Sequence, residues 1–337
     1  MFLALAAGLL AVNVAIAAST ALGPQPVSLR AALAGIDPDA AIVFGLRLPR
    51  AIVAALVGCA LAAAGTALQA LLRNPLAEPF VLGVSGGAAL GGSLVLVAAA
   101  GLARISAAGG EALTSAPPVA LGAVAGAVAS TFLVFGLGRV AGRLVPEAAL
   151  LVGIVFNSFV AGVITLIKML VPPEQASRLL YWLLGAVGYE TPGTIAVGAV
   201  LVLTSVGVLA ALSARLNLLT LADDEAASLG VDVPRSRALV FFAASAATGA
   251  AVALAGMVGF VGLIVPHLVR GVLGPDHRRL LPASALFGAA FLVLADAGAR
   301  LAFLPLGTEP PVGAVTAFLG GPFFLWLLRK QERPEGA

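Results

Sequence analysis

The sequence predicts an all-α polytopic membrane protein with about ten transmembrane helices. Three observations carry this. Of 337 residues, 61% are hydrophobic and only 10% are charged, whereas a soluble domain carries about a quarter charged residues. The mean hydropathy is +1.09. Apolar runs of about 20 residues recur through the whole chain, each long enough to cross a bilayer. The runs are continuous rather than alternating, which excludes a β-barrel. The 40 glycines and 21 prolines fit close backbone packing and broken helices in a membrane.

Breaks fall where charge, Pro and Gly cluster. They leave spans near residues 2–22, 45–72, 79–101, 117–140, 147–171, 191–213, 236–256, 258–273, 280–302 and 311–329. The first run has Ala-x-Ala at Ala15–Ala17, as a signal peptide would, but Lys and Arg are absent from its start, which favours a retained span. The second runs from Arg47-Leu-Pro-Arg50 to Gln69 and turns at Arg73-Asn-Pro-Leu-Ala-Glu-Pro79 straight into the third. Gly87/Gly91 and Gly122/Gly126, in the third and fourth, have the small-xxx-small spacing of a helix contact. Ala60–Gly65 is echoed at Ala251–Gly256, the kind of internal repeat that transporters carry. Pro266 inside the short eighth run predicts a kinked or broken helix. Asp296 and Arg300 in the ninth lie four apart and pair on one face.

Loop charge sets orientation. One set of alternate loops carries Arg73, Arg139, Arg143, Arg215, Arg235, Arg237, Arg270, Arg278, Arg279, Arg329, Lys330 and Arg333. The other carries Arg30, Arg47, Arg50, Arg104, Lys168, Arg178 and Arg300. The richer set, and with it both termini, is expected in the cytoplasm. Tyr181, Trp182, Tyr189 and Trp326 lie near span ends, as an interfacial belt requires.

Within the polar segment 215–237, Leu219 to Gly230 reads as one short helix. Asp223, Asp224 and Glu225 suit its first turn and Gly230 its C-terminal end. It is either a docking element or a solvated loop. Asn74, Pro75 and Leu76 make either a tight turn or the lip of a gate. His267 is either a proton carrier or a helix-end hydrogen-bonding residue. Gly83-Val-Ser-Gly86 matches an intramembrane serine protease pattern, with Ser85 and His267 as a dyad. The only lysines, Lys168 and Lys330, lie outside any phosphate-binding loop, so ATP-driven work requires a separate chain. Cys59 is the one cysteine, which excludes a disulfide framework or a cysteine metal site. No basic patch interleaved with aromatics supports nucleic-acid binding.

Taken in order, Arg47-Leu-Pro-Arg50, Gln69, Arg73–Pro79, Leu82–Ser85, Gly259–Leu263, Pro266-His267, Arg270, Asp276-His-Arg278, Ala295-Asp296, Arg300 and Glu309-Pro310 resemble the FecCD-type permeases of bacterial ABC importers. That family includes vitamin B12, haem and iron-siderophore permeases. The resemblance implies one permease domain over residues 1–337 with the vitamin-B12-permease-like (type II ABC importer) fold. It implies a homodimer in the inner membrane, an ABC ATPase dimer carrying ATP and Mg, and a periplasmic or lipoprotein binding protein. No cofactor is expected in this chain. Asn74 and Leu76 match a cytoplasmic gate, with Val145 and Pro146 as its second layer. Leu219, Asp223, Asp224, Glu225, Ala226 and Gly230 match the ATPase-coupling element. Arg47, Arg50 and Arg300 match outward-facing arginines that meet acids of the binding protein. The fifth and tenth spans are expected to line the path. Iron chelates (siderophore or haem) are the expected cargo, with cobalamin as the alternative. An ion-coupled secondary transporter using Asp296 or His267 and the serine protease are the remote alternatives.

Overall fold

Small residues decide where the centre of the molecule lies. In this computed structural model, which describes residues 2–103, 116–140 and 142–331, the Ala- and Gly-rich second span is the most enclosed helix. In chain order the helices are α1 (Phe2–Ala21), α2 (Leu29–Leu33), α3 (Leu48–Leu71), α4 (Val84–Ala103) and α5 (Ala116–Leu137). A hairpin of β1 (Arg139–Val140) and β2 (Arg143–Leu144) leads into α6 (Pro146–Leu170), α7 (Pro173–Leu183) and α8 (Pro192–Ala211). Then come α9 (Ser213–Leu219), α10 (Asp223–Ser228), α11 (Val233–Ala255), α12 (Val261–Leu273), α13 (His277–Leu301), α14 (Phe303–Leu306) and α15 (Val312–Gln331). A π-helical turn, Ala41–Arg47, extends α3 backwards, and a 3₁₀ turn, Pro79–Leu82, precedes α4.

Among the described residues, seven helical stretches are long and apolar enough to cross a membrane. Three shorter apolar helices, Val84–Ala98, Val261–Leu273 and Val312–Leu327, join them. Together they fall on the ten expected runs. Their starts obey local chemistry. Pro stands in the first turn of α6, α7, α8 and α11, where its missing N–H costs nothing. The side chains of Thr191, Asp232 and Asp276 cap α8, α11 and α13, each accepting a bond from an otherwise orphaned backbone N–H.

Helix α3 packs on α13, α11 and α12. A Cβ at Gly58 would stand 2.1 Å from the Gly288 carbonyl oxygen, and one at Gly65 the same distance from that of Gly262. The expected Gly contact between α4 and α5 is present: a Cβ at Gly91 would meet the Gly122 carbonyl at 2.0 Å, and one at Gly126 that of Gly87 at 2.1 Å.

Three expectations are refined by the structure. The eighth span begins at Val261, within a few residues of the expected start, after a non-helical stretch at 256–260. There Gly256 has φ +66° and Phe260 has φ +68°. Pro266 does not break α12. It lacks the N–H that would reach the Gly262 carbonyl one turn back, and the Gln69 amide donates to that carbonyl instead, at 3.1 Å. Trp182 is half-buried. It sits on the amphipathic α7, unforeseen as a helix, and its ring packs against Gly92 and the core. Arg104 and Arg333 lie outside the described residues.

Candidate functional site

Two polar clusters stand at opposite ends of α3. The first surrounds Arg73. Helix α3 ends in a Schellman turn: the Arg73 N–H bonds the Ala70 carbonyl and the Asn74 N–H bonds the Gln69 carbonyl. Arg73 occupies the left-handed position of that turn, with φ 47°. Glycine is preferred there, because any Cβ is disfavoured by about 1–2 kcal/mol. The Asn74 side-chain oxygen then accepts the Leu76 N–H at 2.9 Å, which fixes the turn that presents Leu76. Beyond it, Glu78 accepts the Phe260 N–H, and the Asn157 amide of α6 donates to the Phe80 carbonyl at 2.7 Å. Val145 caps α6 without a side-chain bond, and its N–H meets the Gly138 carbonyl at 3.1 Å.

The proposed coupling segment is two helices, not one. Leu219 ends α9, fully buried, and α10 starts at Asp223. The chain breaks between them because Arg73 Nε takes the Leu219 carbonyl at 3.1 Å, while Asp223 turns towards Arg73 and Arg237. Asp223, Asp224 and Glu225 do form the first turn of α10, and Gly230 follows it with φ +84°. Ala226 is its buried contact. Helix α9 is held on its other side: Asn217 donates to Asp276 at 2.7 Å and accepts from the His277 N–H at 2.8 Å. The bonds from Asn217 and the Arg278 N–H hold the Asp276 carboxyl below the usual aspartate range.

The second cluster holds the three arginines expected on the outer side, at the end of α3 away from Arg73. Arg47, Arg50 and Arg300 are all buried. Arg47 donates to the carbonyls of Thr20 and Ala21, both at 3.1 Å, and of Gln25. Arg300 donates to Ser19 and to the Leu22 carbonyl. The C-terminal carbonyls of α1 are thereby satisfied by two cations, the charge their dipole favours. Arg50 grips Asp296, with Nη2 at 2.8 Å and Nε at 3.1 Å, and also meets Glu309. The predicted Asp296–Arg300 pair is present at 3.2 Å. Tyr189 lies under Arg50, 5.6 Å from ring centre to guanidinium carbon, and Tyr181 donates to the Glu309 carbonyl.

The Arg50–Asp296 contact crosses 246 residues of chain, and the motif reading missed it. A carboxylate inside an apolar helix demands a cation, and that demand was its only signal. The serine dyad is not assembled. The Ser85 hydroxyl is buried without a hydrogen-bond partner among the described residues, and the His267 ring lies edge-on to Phe323 of α15. The described residues contain no cluster of three metal-ligating side chains.

Known proteins share this build. The family model described as the FecCD transport family matches residues 8–330. The chain is 41% identical to the cobalamin import system permease protein BtuC of Halobacterium salinarum, over 88% of this chain and 76% of that one. It is 40% identical to the hemin transport system permease protein HmuU of Yersinia pestis, over 88% and 85%. It is 38% identical to the Fe(3+) dicitrate transport system permease protein FecC of Escherichia coli, over 90% and 88%. A solved inward-facing conformation of a metal-chelate type ABC transporter superposes with a TM-score of 0.82 at 29% identity, covering 97% of this chain and 98% of that one. A fold, a motif order and an overall similarity that agree from α1 to α15 leave one conclusion: the chain belongs to the FecCD transport family and is a membrane-embedded transport permease.

Proposed function

We propose that this permease imports a bulky iron chelate, a siderophore or haem complex, by alternating access driven by a separate ABC ATPase dimer that carries ATP and Mg. Cobalamin is the second reading, favoured by the similarity to a permease named for it. A periplasmic or lipoprotein binding protein delivers the cargo, a second copy of the chain completes the path, and the bacterial inner membrane holds both termini on the cytoplasmic side.

One observation carries the ATP-driven reading. Helix α10 projects from a polar segment with Leu221, Asp224, Glu225 and Leu229 exposed. Two leucines flanking a short acidic helix, itself too short to cross the bilayer, form a knob that lacks its socket. Loss of a co-purifying ATPase from mild detergent on Leu229→Asp tests this. Retention of a stoichiometric ATPase by that variant refutes it.

Exposed apolar side chains on α6, among them Leu151, Ile154, Val155 and Phe159, and Phe318 and Leu319 on α15, support these helices as path walls. Such walls let a large ligand slide without gripping it, so selectivity falls to the binding protein. Docking through Arg47, Arg50 and Arg300 takes a changed form. Acids of a binding protein have to compete with Asp296, Glu309 and the α1 carbonyls, so docking exchanges partners instead of engaging free charges.

A further inference from the structure

One carboxylate joins three elements at the Arg73 end. Asp223 Oδ1 accepts from Arg73 Nη2 at 2.6 Å and from Arg237 Nη2 at 2.7 Å, and Oδ2 accepts from Arg237 Nη1 at 3.0 Å. The same Arg237 Nη1 also reaches the Leu144 carbonyl at 3.3 Å, immediately before Val145 and Pro146. Arg73 opens the loop that presents Asn74 and Leu76, and its Nε holds the Leu219 carbonyl. The two arms differ in stiffness. The Arg237 side chain is 6% exposed and grips Asp223 through both oxygens, whereas that of Arg73 is 35% exposed and grips it through one.

The backbone strengthens the case. A Schellman turn takes glycine most readily at its left-handed position, yet here that position is an arginine. A residue whose only task were to end α3 needs no side chain. The guanidinium is what glycine cannot supply.

We propose that Asp223 is the positioning residue through which movement of α10 reaches the Asn74–Leu76 layer of the gate. Arg237 is the fixed pivot that anchors it beside the Val145–Pro146 layer, and Arg73 is the arm that pulls the Asn74–Leu76 loop. The proposal rests on reading α10 as the ATPase-docking element and Leu76 as part of the gate. A carboxylate shared between two cations moves with one and drags or releases the other. Displacement of α10 therefore alters the Arg73 contact while the buried Arg237 contact persists.

The test uses the permease–ATPase complex in nanodiscs, with Cys59→Ala and Leu76→Cys as the background. The readout is the labelling rate of the new thiol by a membrane-impermeant maleimide, before and after trapping with ATP and vanadate, normalised to trapped nucleotide. Trapping is expected to change that rate about fivefold or more in the background protein, the scale of a site-to-site coupling. Arg73→Gly keeps the turn and removes the side chain. Relief of the left-handed strain offsets the loss of the bonds to Leu219 and Asp223, and a melting temperature measured alongside separates a folding defect from lost coupling. This variant is expected to bring the change below about twofold, and Arg73→Lys is expected to restore part of it. Asp223→Asn is expected to act as Arg73→Gly does. A full nucleotide-dependent change in Arg73→Gly overturns the proposal and leaves α10 docking intact. A background complex that traps nucleotide without any change at position 76, or that holds no ATPase, overturns the underlying reading and the proposal with it.

Discussion

Gln69 is expected to stabilise α12 by replacing a hydrogen bond that Pro266 removes. Its amide nitrogen donates to the Gly262 carbonyl at 3.1 Å, and its oxygen accepts from Arg270 at 2.9 Å. The side chain is 3% exposed, so no water replaces either bond. Leaving a buried carbonyl unpaired costs about 1–3 kcal/mol in soluble proteins. Interhelical hydrogen bonds in membranes average only about 0.6 and reach about 1.7 kcal/mol, because the unfolded chain also finds partners. A carbonyl freed by proline has no helical alternative, which places it near the upper membrane value, about 1.5 kcal/mol. Losing the Arg270 bond adds a comparable amount, so Gln69→Leu is expected to cost about 3 kcal/mol. Pro266→Ala returns a backbone N–H to Gly262. In that background Gln69→Leu is expected to cost only about half as much, a coupling of about 1.5 kcal/mol, or roughly tenfold in the unfolding constant. Steric-trap or SDS unfolding of the four proteins in mixed micelles measures the cycle. Additivity within about 0.5 kcal/mol refutes the substitution of side chain for backbone.

Other tests follow the same logic. Asp296→Ala leaves the buried cations of Arg50 and Arg300 without their shared anion. It is expected to cost about 3–5 kcal/mol in the same unfolding assay, far more than a charge change at exposed Asp224. Gly65→Val drives a branched side chain into the Gly262 carbonyl and is expected to lose at least about 1–3 kcal/mol, read as a lowered melting temperature in detergent. The carboxyl of Asp276 is held below its ordinary range, so its contribution is present above the unfolded aspartate pKa of about 3.9 and is lost as pH falls further. Hydrogen exchange across 213–219 should stay constant from neutral pH down to about 5, after correction for the intrinsic rate, and rise only below about 4. Asn217→Ala should raise it at every pH.

The ten spans were legible because apolar length and Pro, Gly and charge breaks are local signals. The Gly87/Gly91 and Gly122/Gly126 contact was legible for the same reason, since a spacing of four places two small residues on one face. What resisted reading was long-range. Arg47 and Arg300 at span ends look like surface charges, and nothing nearby says that the carbonyls of α1 need their hydrogens. Arg237 was assigned to a loop on charge alone, yet it is 5% exposed and bound to Asp223 and Leu144. Leu219 to Gly230 carries the marks of one helix start and one helix end. The break at Thr220–Ala222 depends on Arg73, 146 residues upstream of Leu219. Pro266 announced a defect in α12, but its repair came from Gln69 on another helix.

The uneven enclosure of the helices divides the molecule into an axle and shutters. Of the most apolar stretch of the α3 span, 78% is buried, with 72% for α11 and α13, against 17% for α1 and 22% for α6 and α8. An axle fitted backbone to backbone at Gly58 and Gly65 has no slack. It turns as one piece or not at all, since close-packed contacts do not deform continuously. The peripheral helices have room to tilt against it. Evolution meets the same division: a mutation on the axle tests whether the protein exists, whereas one on the exposed face of α6 leaves the packed centre untouched. A chain so built can rewrite its periphery while its centre stays unaltered.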